Sequence, residues 1–199
     1  MQPAYYDDLV EIQNKYWSML DEAVSNRGSP FRIPVFICTH QDEIDGRIVV
    51  LRKSDRGNNL LQFHTDFRSP KVNILKKNNK ASLLFYDKEE KIQLRVKVEC
   101  EVNNHNSTTE ESWKKTQHIS RRCYLTDSPP GTSSDNPTSG MISKLEDFDY
   151  TMEQSEEGYK NFTVIKCKIK STEWLYLAAK GHRRAKFDLD NKKNDWLVP

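Results

Sequence analysis

The densest chemistry in this chain lies in Phe63-His64-Thr65-Asp66-Phe67-Arg68-Ser69-Pro70-Lys71, which brings a hydroxyl and two cations onto one turn between a strand and a helix. At a helix start the first backbone N–H groups have no intrahelical acceptor, and the macrodipole favours an anion there. Ser69 can cap or donate. Pro70 suits the first helical position because its missing N–H is not needed, and Arg68 and Lys71 add countercharge. Two readings fit this turn: an ordinary capped helix with solvated cations, or a phosphate-binding turn. His64 and Thr65 end the preceding strand and so approach whatever the turn holds.

Other residues could join such a site. Arg47 and Arg52 bracket the apolar run Ile48-Val49-Val50-Leu51, so in a regular strand they project to opposite faces. Gln93, a primary amide in a strand, can donate and accept at once, which suits the edge of a ring carrying carbonyls and ring nitrogens. Trp174 is followed by Lys180, His182, Arg183 and Arg184, an aromatic with donors that could hold an anionic planar ligand or form a plain basic hairpin end. No hydrolytic signature is present: no nucleophile elbow, no paired-histidine zinc motif and no Walker loop. Catalysis here therefore calls for a cofactor.

The elements that must position these groups are legible from periodicity. Leu9, Ile12, Tyr16, Leu20, Ala23 and Val24 recur at helical spacing from Asp8, and Asn26-Arg27-Gly28 stops the helix. Five strands follow, at 33–39, 47–53, 60–65, 81–87 and 92–102, with Asp45-Gly46 and Arg56-Gly57-Asn58-Asn59 as hairpin turns and only 70–80 helical between them. A further helix starts at Asn106-Ser107-Thr108-Thr109 and runs through Trp113 to Ile119. Strands return at 162–169 and 173–177. Short, regularly spaced strands predict a mainly β fold, a β-barrel with peripheral helices. One domain spans 1–199, and the Pro-rich stretch 126–138 is an irregular loop, either a mobile lid or an insertion.

Bulk properties narrow the function. With 199 residues the chain can bury roughly 70% of its unfolded surface. Thirty-one Lys and Arg against 29 Asp and Glu leave a formal charge of +2, so no global field draws nucleic acid, and Lys166, Lys168 and Lys170 read as the solvated face of a strand. The longest apolar runs are far shorter than the ~20 residues of a spanning helix, which predicts a cytoplasmic protein with no membrane partner. Cys38, Cys100, Cys123 and Cys167 lack ligand spacing and read as reduced thiols, with no metal site.

In order, these motifs resemble the pyridoxamine 5'-phosphate oxidase-related family of FMN-binding split barrels, from about Arg32 to Pro199. Arg47-Ile48-Val49-Val50-Leu51-Arg52 is similar to the family's Arg-x-Val-x-Leu-Lys strand, and His64-Thr65 with Ser69-Pro70-Lys71 to its aromatic-Thr pair and Ser-Arg-Lys turn. Ser82-Leu83-Leu84-Phe85, Gln93, and Trp174 with His182-Arg183-Arg184 complete the match. The resemblance implies an FMN-dependent oxidoreductase, or alternatively a non-catalytic FMN carrier or sensor. It implies a homodimer with FMN at the subunit interface, held by Arg47, Arg52, His64, Thr65, Arg68, Ser69, Lys71, Gln93, Trp174 and Arg184. Arg121, Lys180 and His182 would orient a small anionic substrate, with pyridoxamine or pyridoxine phosphate leading. The chain departs from the family at Pro70, where an Arg binds phosphate, and at Gln117, Leu125 and Lys180, where the substrate clamp carries Tyr, Ser and Arg.

Overall fold

The computed structural model describes residues 3–41, 43–141 and 143–199, and of Ser143 the backbone only. Helix α1 (Leu9–Ser25) begins where Asp8 accepts hydrogen bonds from the backbone N–H groups of Val10 and Glu11, at 2.8 and 3.0 Å. That cap satisfies two of the four orphan donors of the first turn. The apolar stripe read from the sequence becomes a buried face of Ile12, Tyr16, Trp17, Leu20 and Ala23. It packs into the same core as the sheet interior, with Tyr16 edge-on to Phe187 at 5.5 Å between ring centroids.

Among the described residues nine antiparallel strands form one sheet: β1 (Val35–His40), β2 (Glu43–Ile48), β3 (Leu51–Asp55), β4 (Leu60–Asp66), β5 (Lys80–Asp87), β6 (Ile92–Asn103), β7 (Phe162–Tyr176), β8 (Arg183–Asp188) and β9 (Lys193–Leu197). Their order is β2-β1-β5-β6-β7-β4-β3, with β8 and β9 extending from β7. The two ends of that path, β2 and β3, are consecutive in sequence. They are separated only by Val49 and Val50; the Val49 N–H donates to the Pro34 carbonyl at 3.1 Å, one step beyond the Val35–Ile48 pair of the β1–β2 register, before the chain turns to β4. One bent run thus pairs with β1 on one side and β4 on the other, which curls the sheet back on itself and gives the expected split-barrel architecture.

Three expectations about individual elements change. The run 47–53 is two strands, because the bend at Val49 lets one stretch serve both edges. Asp45-Gly46 lies inside β2, opposite Cys38 and Ile37, and the reversal falls between His40 and Glu43. The tail strands 162–169 and 173–177 are one strand, β7, whose register shift opposite Lys97 and Val98 absorbs the break in apolar alternation.

The helices sit outside the barrel. They are α2 (Pro70–Lys77), α3 (Ser107–Lys114), α4 (His118–Arg121) and the short turns Ser143–Glu146 and Met152–Ser155. Asn106 and Thr109 form a reciprocal cap at the start of α3, whose Trp113 packs with Tyr124, Phe162 and Val164 into a small second core. Among the described residues no helix is long and apolar enough to cross a membrane.

Candidate functional site

Strand β4 sends its alternate side chains to two sites, Thr65 to one surface of the sheet and His64 to the other. Thr65 meets the turn that follows. Ser69 is the N-cap residue of α2 yet makes no side-chain cap; its hydroxyl instead accepts a hydrogen bond from Lys71 Nζ at 2.7 Å, and Thr65 Oγ1 accepts a second at 2.8 Å. Lys71 is 8% exposed and Ser69 2%. Among the described residues no carboxylate oxygen lies within 4 Å of Lys71 Nζ, an unusual situation for a buried ammonium. Burial, and next the nearby Arg47 guanidinium, pull its pKa down to about 8.

Arg47 reaches this cluster from β2, where it stands opposite the inward-facing Phe36. Its Nη2 pairs with Asp45, while its Nε is buried without a partner among the described residues. Two crowded cations, an unpartnered guanidinium N–H and two hydroxyls make a donor set that fits a phosphate.

Arg68 faces away from that cluster. Its guanidinium forks onto Asp66, at 3.1 and 2.8 Å, and donates to the carbonyls of Thr126 and Asp127 and to Thr126 Oγ1. The start of the Pro-rich loop is thereby tied to the turn, and Gly131 lies against Pro70, where an added Cβ would meet Pro70 Cγ at 3.8 Å.

On the other surface His64 and Arg52 line an open cavity of about 970 Å³ between the end of α1, β3, β4 and the α3–α4 segment. Burial, followed by the charge of Arg52, pushes the His64 pKa down to about 3, so the imidazole is neutral at physiological pH. Its Nε2 lies 3.3 Å from Gln62 Nε2, and its ring packs edge-on against Phe162.

Gln93 and Arg184 stand on the outer surface of the sheet in one cross-strand row with Leu175. Arg184 donates twice to Glu173 at 3.0 and 2.7 Å. Trp174 alternates to the inside: it is fully buried, stacks on Tyr176, and its Nε1 has no partner. Arg121 is also buried, with its donors on the carbonyls of Thr116 and Trp113, on Ser155 and on Glu156, and its plane over the Trp113 ring. Lys180 and His182 lie in the exposed β7–β8 turn, where His182 Nδ1 accepts from the Ala178 N–H at 3.1 Å. The fold therefore joins Arg47, Thr65, Ser69 and Lys71 in one place, Arg52 and His64 in a second, and Gln93 and Arg184 in a third. It does not bring Arg68, Trp174, Arg121, Lys180 or His182 to any of these.

Residues 13–104, which include the Lys71 cluster, Arg52, His64 and Gln93, match the family model described as pyridoxamine 5'-phosphate oxidase, FMN-binding domain. The chain carries the FMN-binding fold of the pyridoxamine 5'-phosphate oxidase family. Among solved structures, a pyridoxamine 5'-phosphate oxidase-related FMN-binding protein from Nostoc punctiforme superimposes over 100% of both chains with a TM-score of 0.70 at 16% identity. PhzG from Burkholderia lata, in complex with tetrahydrophenazine-1-carboxylic acid, covers 100% of this chain and 98% of its own with the same TM-score and 16% identity. A search of curated proteins by sequence finds no match. FMN is the cofactor of this domain family, and the cluster around Lys71 fits the one part of FMN that needs charge-assisted donors, its phosphate.

The cations at the exit of α1, Arg27 and Arg32, also line the cavity with Arg52 and His64. Sequence reasoning passed over them because they come from a helix end distant in sequence from Arg52. The only available signal was two arginines following the helix stop with no nearby carboxylate.

Proposed function

We propose that this protein is a homodimeric FMN-dependent oxidoreductase acting on a small anionic substrate. The observation that carries this reading is the buried, carboxylate-free Lys71 held by Thr65 and Ser69 within the family's FMN-binding segment. FMN supplies a two-electron acceptor for hydride. Lys71, Arg47, Ser69 and Thr65 hold its phosphate by charge-assisted hydrogen bonds, and Arg52 draws an anionic substrate into the cavity beside neutral His64. Because His64 is a neutral imidazole at physiological pH, it is no cationic acid there and acts through shape and through one ring N–H donor and one ring nitrogen acceptor.

The dimer is supported by where Gln93 lies. Its register partners are the exposed Tyr86 and the outward Leu175, whereas Arg47 stands opposite the inward Phe36. A flavin with its phosphate at Lys71 of one copy can be read along its ring by Gln93 and Arg184 of a second copy.

Anaerobic addition of pyridoxamine or pyridoxine 5'-phosphate is expected to bleach the flavin absorbance; persistent colour with both rejects that substrate class. Mixing Lys71→Met chains with Gln93→Ala chains is expected to restore about one flavin site per mixed dimer, and no restoration contradicts a shared site. One observation favours a second reading, an FMN carrier or sensor without turnover: Arg121, the expected substrate contact, is spent on protein groups. Tight FMN binding with no reduction by any donor would support that reading.

A further inference from the structure

The cavity beside His64 carries five cations, Arg27, Arg32, Arg52, Lys53 and Lys115, and among the described residues no carboxylate lines it. Lys53 has an acidic partner, Asp55 at 3.2 Å. Among the described residues Arg27, Arg32, Arg52 and Lys115 have none within 4 Å. Two of these cations do local structural work. Arg32 Nη1 donates to the Ala23 and Val24 carbonyls at 3.0 and 2.7 Å, closing the C-terminal end of α1, and Arg27 Nη2 donates to Gln117 Oε1 at 3.0 Å. Such contacts occupy one nitrogen each of a five-donor fork.

Solvated cations at a helix end would ordinarily spread apart. Here they converge on one concavity from three chain segments, the α1 exit, β3 and the end of α3, close enough that Arg52 and Arg27 act on Arg32 after its burial. Gathering like charges in a partly desolvated cleft is unfavourable unless an anion enters. His64, neutral at the floor, adds neither charge nor repulsion. Arg121, meanwhile, has four of its five N–H donors on protein groups.

We infer that Arg27 and Arg32, at the exit of α1, together with Arg52 bind the phosphate or carboxylate of the substrate in this cavity and so determine its specificity. The inference deepens the flavin-dependent reading and rests on it for calling the ligand a substrate; the anion site itself stands without the flavin. The site selects a phosphate ester or carboxylate over the neutral alcohol or amine of the same ring, and α1 becomes part of the binding machinery.

Calorimetric titration of the FMN-loaded and FMN-free protein with pyridoxamine 5'-phosphate, pyridoxamine and inorganic phosphate tests it. The expected result is binding of pyridoxamine 5'-phosphate at least tenfold tighter than pyridoxamine, competition by inorganic phosphate, and a tenfold or greater loss in both Arg27→Ala and Arg52→Ala. FMN affinity in Arg27→Ala is expected to stay within threefold of the parent. Arg27 is exposed, so that variant is expected to fold, and a Tm within about 2 °C of the parent confirms it. Unchanged pyridoxamine 5'-phosphate affinity in folded Arg27→Ala overturns the proposal, as does a parent protein that binds neither phosphate compound. Binding of inorganic phosphate alone, insensitive to Arg27→Ala, marks an adventitious anion only and also overturns it. Failure of the parent to bind FMN, with phosphate still sensitive to Arg27→Ala, would remove the flavin reading and leave the anion site intact.

Discussion

Lys71 and Arg121 are both buried cations on short helices, and their surroundings give them opposite meanings. Arg121 has five protein partners, counting the Trp113 ring beneath it, and one of them is the carboxylate of Glu156. Lys71 has two hydroxyls and a neighbouring cation, and burial drives its pKa down. The first arrangement is complete and stabilises the α3–α4 segment on the barrel. The second lacks one component, an anion, and that is what a ligand supplies. Burial alone does not distinguish a structural cation from a binding one; the satisfaction of its charge does.

Replacing each cation should separate the two roles. Arg121→Ala leaves the Trp113 and Thr116 carbonyls without their donor and removes the group stacked on Trp113, so unfolding in urea is expected to show a loss of about 3 kcal/mol, with FMN affinity of the folded protein unchanged. A loss of FMN binding at intact stability would collapse the distinction. Lys71→Met should do the reverse. FMN affinity, followed by flavin fluorescence, is expected to fall by about 2 kcal/mol, roughly thirtyfold, while the FMN-free protein becomes more stable at pH 7. The stabilisation follows from sign: a lysine whose folded pKa lies below its unfolded value of 10.5 opposes folding while protonated in both states, by roughly 3 kcal/mol, and the penalty fades as pH rises through 8 toward 10.5.

The same titration sharpens the contrast through pH. Below pH 8 Lys71 is charged before FMN arrives. Above it, binding requires uptake of a proton, and the FMN dissociation constant is expected to rise by up to about tenfold per pH unit. A flat profile from pH 7 to 9.5 would mean that Lys71 does not meet the phosphate. Arg68 provides the smallest effect. Its donors are committed to Asp66 and to the loop at Thr126 and Asp127, so Arg68→Ala should cost about 1 kcal/mol of stability and change FMN affinity less than threefold. A thirtyfold loss would instead place it beside Lys71.

How much of this could be read beforehand depended on the distance over which the cause acts. The limits of α1 were legible because the apolar spacing from Leu9 to Val24 and the Asp8 cap are local. So was the Ser69-Pro70-Lys71 turn, because the acceptors of Lys71, Thr65 and Ser69, lie within a few residues of it. The break at Val49 and Val50 was hidden inside a uniform β-branched run, since it marks a change of pairing partner from β1 to β4, segments that lie elsewhere in the sequence. Asp45-Gly46 carried a strong turn signal that pairing across β1 overrode. Strand β8 presents only Ala185 and Phe187 to the core between charged residues, so its cations drew attention rather than its alternation. Arg121 could not be recognised as structural because Ser155 and Glu156 follow more than thirty residues later, across the Pro-rich loop. Trp174 read as a ligand contact until the strand phase placed it inside with Tyr176.

The comparison of FMN with riboflavin, which differ only in the phosphate, tests the assignment of the Lys71 cluster most directly. Titration of the FMN-free protein at pH 7 is expected to show FMN binding at least about a hundredfold tighter than riboflavin, the product of two or more charge-assisted hydrogen bonds at roughly 1.5 to 3 kcal/mol each. That margin should shrink markedly in Lys71→Met. Equal affinity for the two compounds would contradict the assignment.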